Sequence, residues 1–132
     1  MIKVFVNGTF DILHPGHMAL LRHAASRGDY LLVAIDSDSR VQELKGADRP
    51  FFNAVDRKYM LGCVAGVDEV SVFSTDKELE DIISEYQPDI MIKGSDYKDR
   101  PIIGAHLIPT IEFFERINEY SSTKTIQHLT NR

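Results

Sequence analysis

A single cysteine, Cys63, stands in the 132 residues, so no disulfide framework can form within the chain and a cytosolic, cytoplasmic setting is expected. Placed inside an apolar helical pattern, Cys63 is expected to be a small buried hydrophobe. No apolar stretch approaches the ~20 residues of a membrane span, and no membrane partner is expected. Residues 2–6 are too short for the core of a signal peptide and run straight into a polar motif, so no secretory leader is expected. Basic residues are in deficit: 15 Lys and Arg against 20 Asp and Glu leave a net charge of −5. That argues against a nucleic-acid surface, which is usually basic, but leaves room for a local pocket that takes a small polyanion. There is no internal repeat, no low-complexity run and no linker. A chain of this length with 43% hydrophobic and 27% charged residues reads as one globular domain, residues 1–132.

Strand-like and helix-like patterns alternate along it. Residues 2–6 are short, apolar and β-branched, and residues 30–35 form a continuous apolar run of the kind found in central parallel strands. Residues 69–73, 90–92 and 110–114 read as three further strands. Helical spacing appears at 18–27, where Gly28 stops it, at 54–64 with Val55, Tyr59, Met60 and Val64 as the apolar positions, and at 77–86 with Leu79, Ile82 and Ile83 inward. Residues 37–43 are polar and ambiguous, 46–53 form a loop, and 122–129 read as a last short helix. Five strands alternating with helices imply an α/β layered domain with a largely parallel sheet. Ligands of such sheets bind beyond the carboxyl ends of the strands, where the strand order switches direction. Polar segments fall there five times, at 7–17, 36–39, 74–76, 93–96 and 116–124.

The first of these segments carries the most chemistry. Gly8-Thr9-Phe10-Asp11 and His14-Pro15-Gly16-His17 join a strand end to a helix start. Unpaired N–H groups at a helix start favour anions, and two imidazoles beside them can donate to phosphate oxygens. Pro15 fixes φ, and Gly16 lets a ligand approach the backbone. A zinc site would need a third or fourth ligand; Asp11 could serve, but no further His or Cys cluster supports it, and no protein-held metal is assigned. The first strand is not followed by Gly-x-Gly-x-x-Gly, which argues against a dinucleotide oxidoreductase.

Those two tetrapeptides resemble the signature of the cytidylyltransferase-like nucleotidyltransferase superfamily. The likeness continues through Lys45-Gly46, Arg49-Pro50, Asp56-Arg57, Val67-Asp68-Glu69-Val70, Lys93-Gly94-Ser95-Asp96-Tyr97 and Ser121-Ser122-Thr123-Lys124, in the expected order. The resemblance implies a Rossmann-like parallel five-stranded sheet with helices on both faces. It also implies transfer of a nucleoside monophosphate from ATP or CTP to a phosphorylated sugar or polyol, with release of pyrophosphate. Mg²⁺ would accompany the triphosphate, and a homodimer is expected. His14, His17 and Lys45 would be the catalytic residues. Gly8, Thr9, Phe10, Gly16, Lys93, Gly94, Asp96, Arg116, Ser122 and Thr123 would hold the nucleotide. Asp11, Asp36 and Arg57 would face the acceptor, with Asp38 nearby and Asp11 equally suited to stabilising its turn.

Lys45-Gly46, Arg49-Pro50, the 93–98 segment and Ile103-Gly104-Ala105 look more like the domain that adenylylates heptose 1-phosphate. Arg116 and Thr123-Lys124 look more like glycerol-3-phosphate cytidylyltransferase, which would make CDP-glycerol. The adenylyl reading is slightly favoured. A nucleotide-binding module without catalysis is the rival from another class; it could lose the histidines, and this chain has both.

Overall fold

Strand Tyr30–Asp36 (β2) is buried along nearly its whole length, as a continuous apolar run requires of a strand with neighbours on both edges and layers on both faces. It pairs in parallel with Lys3–Gly8 (β1) on one side and Glu69–Phe73 (β3) on the other. Beyond β1 lie Ile90–Gly94 (β4) and Thr110–Phe114 (β5), also parallel, giving the order β3-β2-β1-β4-β5. The computed structural model describes residues 1–115, 126, 128 and 129. The chain first winds outward from β1 to β3 and then returns to β4 and β5. The switch in direction therefore falls between β1 and β4, and the expected parallel five-stranded sheet is present.

Among the described residues four helices connect the strands: Pro15–Ser26 (α1), Asp38–Lys45 (α2), Ala54–Gly62 (α3) and Asp76–Tyr86 (α4). Each starts on a side chain that satisfies an N–H of the first turn: His14, Ser37, Asn53 and Thr75 accept from His17, Arg40, Asp56 and Glu78. The ambiguous stretch after β2 is thus helical, because Ser37 caps it and Val41 is buried. Short 3₁₀ turns at Ser95–Tyr97 and Ala105–Leu107 fill the β4–β5 connection.

Alternation along the strands sorts their side chains between two cores. Val4, Val6, Leu31, Val33, Ile35 and Ile92 pack with Leu21 and Ala24 of α1 and Leu61 of α3 on one face. Phe5, Leu32, Ala34, Phe73 and Met91 pack with Leu79 and Ile83 of α4 and with Ile108 on the other. Burial of one such side chain is worth about 1.5–3 kcal/mol.

Two expectations fail in α3. Val55 and Tyr59, expected to face inward, are 77% and 74% exposed, while Arg57 and Leu61 are buried. The helix is rotated so that the Arg57 guanidinium reaches backbone oxygens beneath it, which outweighs burial of an apolar stripe. Cys63, at the C-terminal cap of the same helix, is exposed rather than buried. The expected last helix lies mostly outside the described residues, although Ile126, His128 and Leu129 are helical.

Candidate active site

A cleft of about 410 Å³ opens at the carboxyl ends of β1, β2 and β4. It gathers Gly8, Thr9, Phe10, Asp11, His14, Gly16 and His17 from the first loop, Asp36 and Lys45 from either end of the α2 region, and Lys93, Gly94 and Asp96 from the end of β4. Twelve of the residues singled out in the sequence therefore share one cavity. Arg116, Ser122 and Thr123 lie outside the described residues. Arg57 does not line the cleft. Of the five polar segments, 74–76 reaches it only indirectly, through Asp76 on Arg40.

The histidine pair is built by the start of α1. His14 is extended (φ −144°, ψ 171°) and is the helix N-cap. Its Nδ1 accepts from the His17 backbone N–H at 3.4 Å, so in the neutral ring the proton sits on Nε2. The two imidazoles stack with centroids 3.7 Å apart, and Phe10 packs against His17 at 5.1 Å. Phe10 takes a positive φ of 50° to place its ring there, and it is almost fully buried. A Cβ at Gly8 would come within 3.0 Å of that ring, so the glycine is needed for the close approach. The rings are thus fixed beside the N-terminus of α1, whose dipole favours anions.

Lys45 is the last residue of α2. Its ammonium is held below the ordinary lysine range, first by desolvation at the cleft wall and then by the Arg49 guanidinium; Asp36 and Asp11 oppose the shift. Gly46 follows with φ 108° and ψ 164°, a conformation that a residue with a Cβ rarely adopts. Lys93, at the end of β4, is only 8% exposed. Burial lowers its pKa, and Asp36 and Asp96 act in the opposite direction. Its Nζ sits 4.3 Å from the centroid of the Tyr97 ring.

The carboxylates expected on the acceptor side are engaged in building the cleft. Asp11, almost fully buried, accepts from the N–H groups of Phe51 (2.8 Å) and Phe52 (2.9 Å) and from Arg49 Nε (3.3 Å). It stabilises its loop, one of the two roles expected of it. Asp38 Oδ1 accepts from Ala54 N–H and from Arg57, both at 2.8 Å, and so anchors α3. Asp36 accepts from Thr9 Oγ1 at 2.9 Å and from Arg40 Nε at 3.0 Å, and remains on the cleft wall. Arg57 is fully buried. It donates to the backbone oxygens of Phe52, Thr9 and Asp36 and to Asp38, at 2.8–3.0 Å. It ties the loops after β1 and β2 to α3 from beneath, which is a framing position.

Sequence reasoning missed Arg40 and gave no role to Asn7 and Tyr97, although it placed their segments at the rim; all three line the cleft. Arg40 also bonds Asp76 at 2.7 Å and lies over the Phe73 ring at 5.2 Å. The two-residue alternation in β1 would have placed Asn7 on the same face as Phe5. Nothing in the local sequence pairs Arg40 with Asp76, 36 residues away. Among the described residues no group of three His, Cys, Asp or Glu side chains gathers to hold a metal ion, and no helix is long and apolar enough to cross a membrane.

The model of the cytidylyltransferase-like family matches residues 5–128. The chain is 40% identical over 129 residues to the bifunctional protein HldE of Campylobacter jejuni strain RM1221, covering 98% of this chain and 28% of that protein. It is 41% identical over 126 residues to the protein of the same name from Sulfurimonas denitrificans, covering 96% and 26%. It thus spans little more than a quarter of the curated relatives it matches. Among solved structures, a lipopolysaccharide core biosynthesis protein from Thermoplasma volcanium superposes with a TM-score of 0.69 at 27% identity, covering 92% of this chain and 99% of that one. Pantothenate synthetase from Thermus thermophilus shares the fold at 15% identity, with a TM-score of 0.65 over 97% of this chain and 64% of its own.

Proposed function

The chain belongs to the cytidylyltransferase-like family, and on that premise we propose that it transfers a nucleoside monophosphate from ATP or CTP to a phosphorylated sugar or polyol. Heptose 1-phosphate-type adenylyl transfer, a step of carbohydrate biosynthesis, is the favoured form. An oxygen of the acceptor phosphate attacks the α-phosphorus, the bond from that phosphorus to the bridging oxygen breaks, and pyrophosphate leaves. One observation carries the reading: the stacked His14 and His17 at the start of α1 share one cleft with Lys45 and Lys93. Four nitrogen donors around one strand-end cavity suit a reaction in which charge builds on phosphate oxygens and the protein mainly positions and stabilises it.

In this reading His14 Nε2 and the His17 ring donate to the triphosphate, and the N-terminus of α1 adds fixed partial charge. Lys45 bridges triphosphate and acceptor phosphate. Desolvation at the cleft wall lowers its pKa, and bound anions would oppose that shift. Arg116, Ser122 and Thr123 are proposed to extend the nucleotide site. Mg²⁺ is proposed to arrive with the triphosphate, held by phosphate oxygens and water, and to neutralise charge there. A homodimer and a cytoplasmic setting belong to the same proposal, as does the absence of nucleic-acid and membrane partners.

The test is a pyrophosphate-release screen that crosses ATP and CTP with heptose 1-phosphate, glycerol 3-phosphate, choline phosphate and ethanolamine phosphate. Preferred use of CTP with glycerol 3-phosphate would favour the cytidylyl alternative; triphosphate binding without turnover would favour a binding module. On the best pair, His17→Ala is expected to lose ~10²–10³ in kcat, as removal of one preorganised donor does. Near-wild-type turnover would sink the mechanism.

A further inference from the structure

The two faces of the cleft differ in chemistry. On the α1 face stand the two imidazoles and the helix N-terminus, all suited to donate to an anion. The opposite face follows from strand alternation. Phe5 and Met91 belong to the α4-side core and are register partners, so Asn7 and Lys93, two residues on in adjacent strands, point to that same side. Asp36 follows Ala34 of the same core by two residues and joins them, its register partner Phe73 beside it. At the top of this face sit an amide, an ammonium and a carboxylate.

Two of these groups have unused hydrogen-bonding capacity. The Asn7 Oδ1 is buried and accepts no hydrogen bond from any described residue. The Lys93 ammonium, in a side chain more than nine-tenths buried, has the face of Tyr97 as its near neighbour, and Asp36 and Asp96 act on it at longer range. An unsatisfied buried acceptor destabilises a fold, and an ammonium largely desolvated on a cleft wall with no hydrogen-bonded anion among the described residues does not repay that cost. A fold does not keep both side by side for its own stability. They need a ligand that brings a donor to Asn7 and acceptors to Lys93 at the same level of the sheet. A phosphate at neutral pH offers acceptors almost alone. A hydroxyl offers both, and a hydroxylated phosphate monoester offers acceptors in excess.

We propose that Asn7 and Lys93 form the subsite that selects a polyhydroxylated acceptor, with Asn7 accepting from an acceptor hydroxyl and Lys93 donating to its oxygens. Asp36, fixed by Thr9 and Arg40, accepts from a second hydroxyl. This rests on the nucleotidyl-transfer reading and moves Lys93 from the nucleotide side, where the sequence placed it, to the acceptor side. The triphosphate then occupies the α1 face, where Gly8 and Gly94, two residues on from Val6 and Ile92 of that side's core, bring no side chain.

Lys93→Met and Asn7→Leu keep side-chain volume and remove the polar groups. With the wild type's best triphosphate, Lys93→Met is expected to raise acceptor KM by about 10-fold or more, as loss of a charge-assisted hydrogen bond does, while triphosphate KM stays within about 3-fold. Asn7→Leu is expected to lower at least 10-fold the preference in kcat/KM for heptose 1-phosphate or glycerol 3-phosphate over choline phosphate, which lacks hydroxyls. Neither variant is expected to melt below wild type: Asn7→Leu removes an unsatisfied buried acceptor, and Lys93→Met removes a desolvated charge while keeping an apolar contact with the Tyr97 ring. A rise in triphosphate KM alone would return the pair to the nucleotide site. Lower melting with unchanged KM values would make it structural. Either result overturns the assignment while leaving nucleotidyl transfer standing. A wild type silent with all eight substrate pairs would overturn the transfer reading and this inference with it.

Discussion

Replacing Arg57 by methionine separates two roles for one residue. The family resemblance implies a contact with the acceptor phosphate, whereas the structure buries the guanidinium completely and spends it on three backbone oxygens and Asp38. Methionine fills much of the volume and leaves those acceptors in place. The three carbonyl oxygens belong to the loop after β1, the end of β2 and the turn before α3, so the variant loses the joint between them. Removing one partner from a buried hydrogen-bonded ion pair costs about 3–5 kcal/mol, and here one arm of the pair, Asp38, is half-exposed, which favours the lower half of that range. For a chain of this length the unfolding entropy is about 0.28 kcal/mol/K, so the expected fall in Tm is roughly 11–14 °C. Arg57→Lys keeps the charge, but a single nitrogen cannot span acceptors arranged around a planar fork; it should recover less than half of the loss. Thermal denaturation followed by far-UV circular dichroism gives the first readout, and acceptor KM at a temperature where both proteins are folded gives the second. A variant that melts within about 3 °C of wild type yet raises acceptor KM tenfold would refute the framing role and restore the phosphate contact.

Two further outcomes follow from local geometry. Gly46→Ala meets no steric obstacle, since nothing lies within 4 Å of the added Cβ. Its cost is the backbone strain of φ 108°, about 1–3 kcal/mol, and chemical denaturation should show that loss together with a lower kcat from a displaced Lys45; wild-type stability would mean that the turn adopts other angles in solution. Glu112 accepts from His23 at 2.8 Å and from Arg27 at 2.9 Å, joining β5 to α1, and the His23 bond is the main reason its carboxyl titrates below the ordinary value. Because the folded pKa is depressed, the stabilisation is present above about pH 4.5 and is lost as pH falls through the folded value. Glu112→Gln should therefore cost less than about 1 kcal/mol at pH 7 and converge with wild type in acid. A difference that grows on acidification would contradict that sign.

The fold was legible wherever the physics is local. A continuous apolar run marks a strand buried on both faces, and β2 is one. A capped apolar stripe marks a helix, and α4 carries Leu79 and Ile83 inward as its spacing requires. Strand order was not legible: alternating strands and helices narrow it only to a few windings, and the order β3-β2-β1-β4-β5 came from the structure. The reading failed in α3, where the apolar periodicity at Val55 and Tyr59 competed with one arginine. Periodicity scores every arginine as a surface residue; it has no means of registering three backbone oxygens that converge from positions 9, 36 and 52.

The same limit divides the site. The place of His14 and His17 at the cleft was legible because the strand-end loop and the helix start specify their neighbourhood from contiguous residues, whereas Lys45, at the far end of α2, came from the family resemblance alone. Asp11 and Asp38 sit in equally suggestive contexts, but both oxygens of Asp11 and Oδ1 of Asp38 are committed to partners more than a dozen residues away: Phe51 and Phe52 for one, Ala54 and Arg57 for the other. Sequence context shows where a carboxylate is carried; only long-range hydrogen bonding shows whether it has capacity left for a ligand. By that criterion the informative groups are those whose capacity the described fold leaves unused. Asn7 Oδ1 and the Lys93 ammonium meet it on the α4 face, and they are where recognition of the acceptor has room to act.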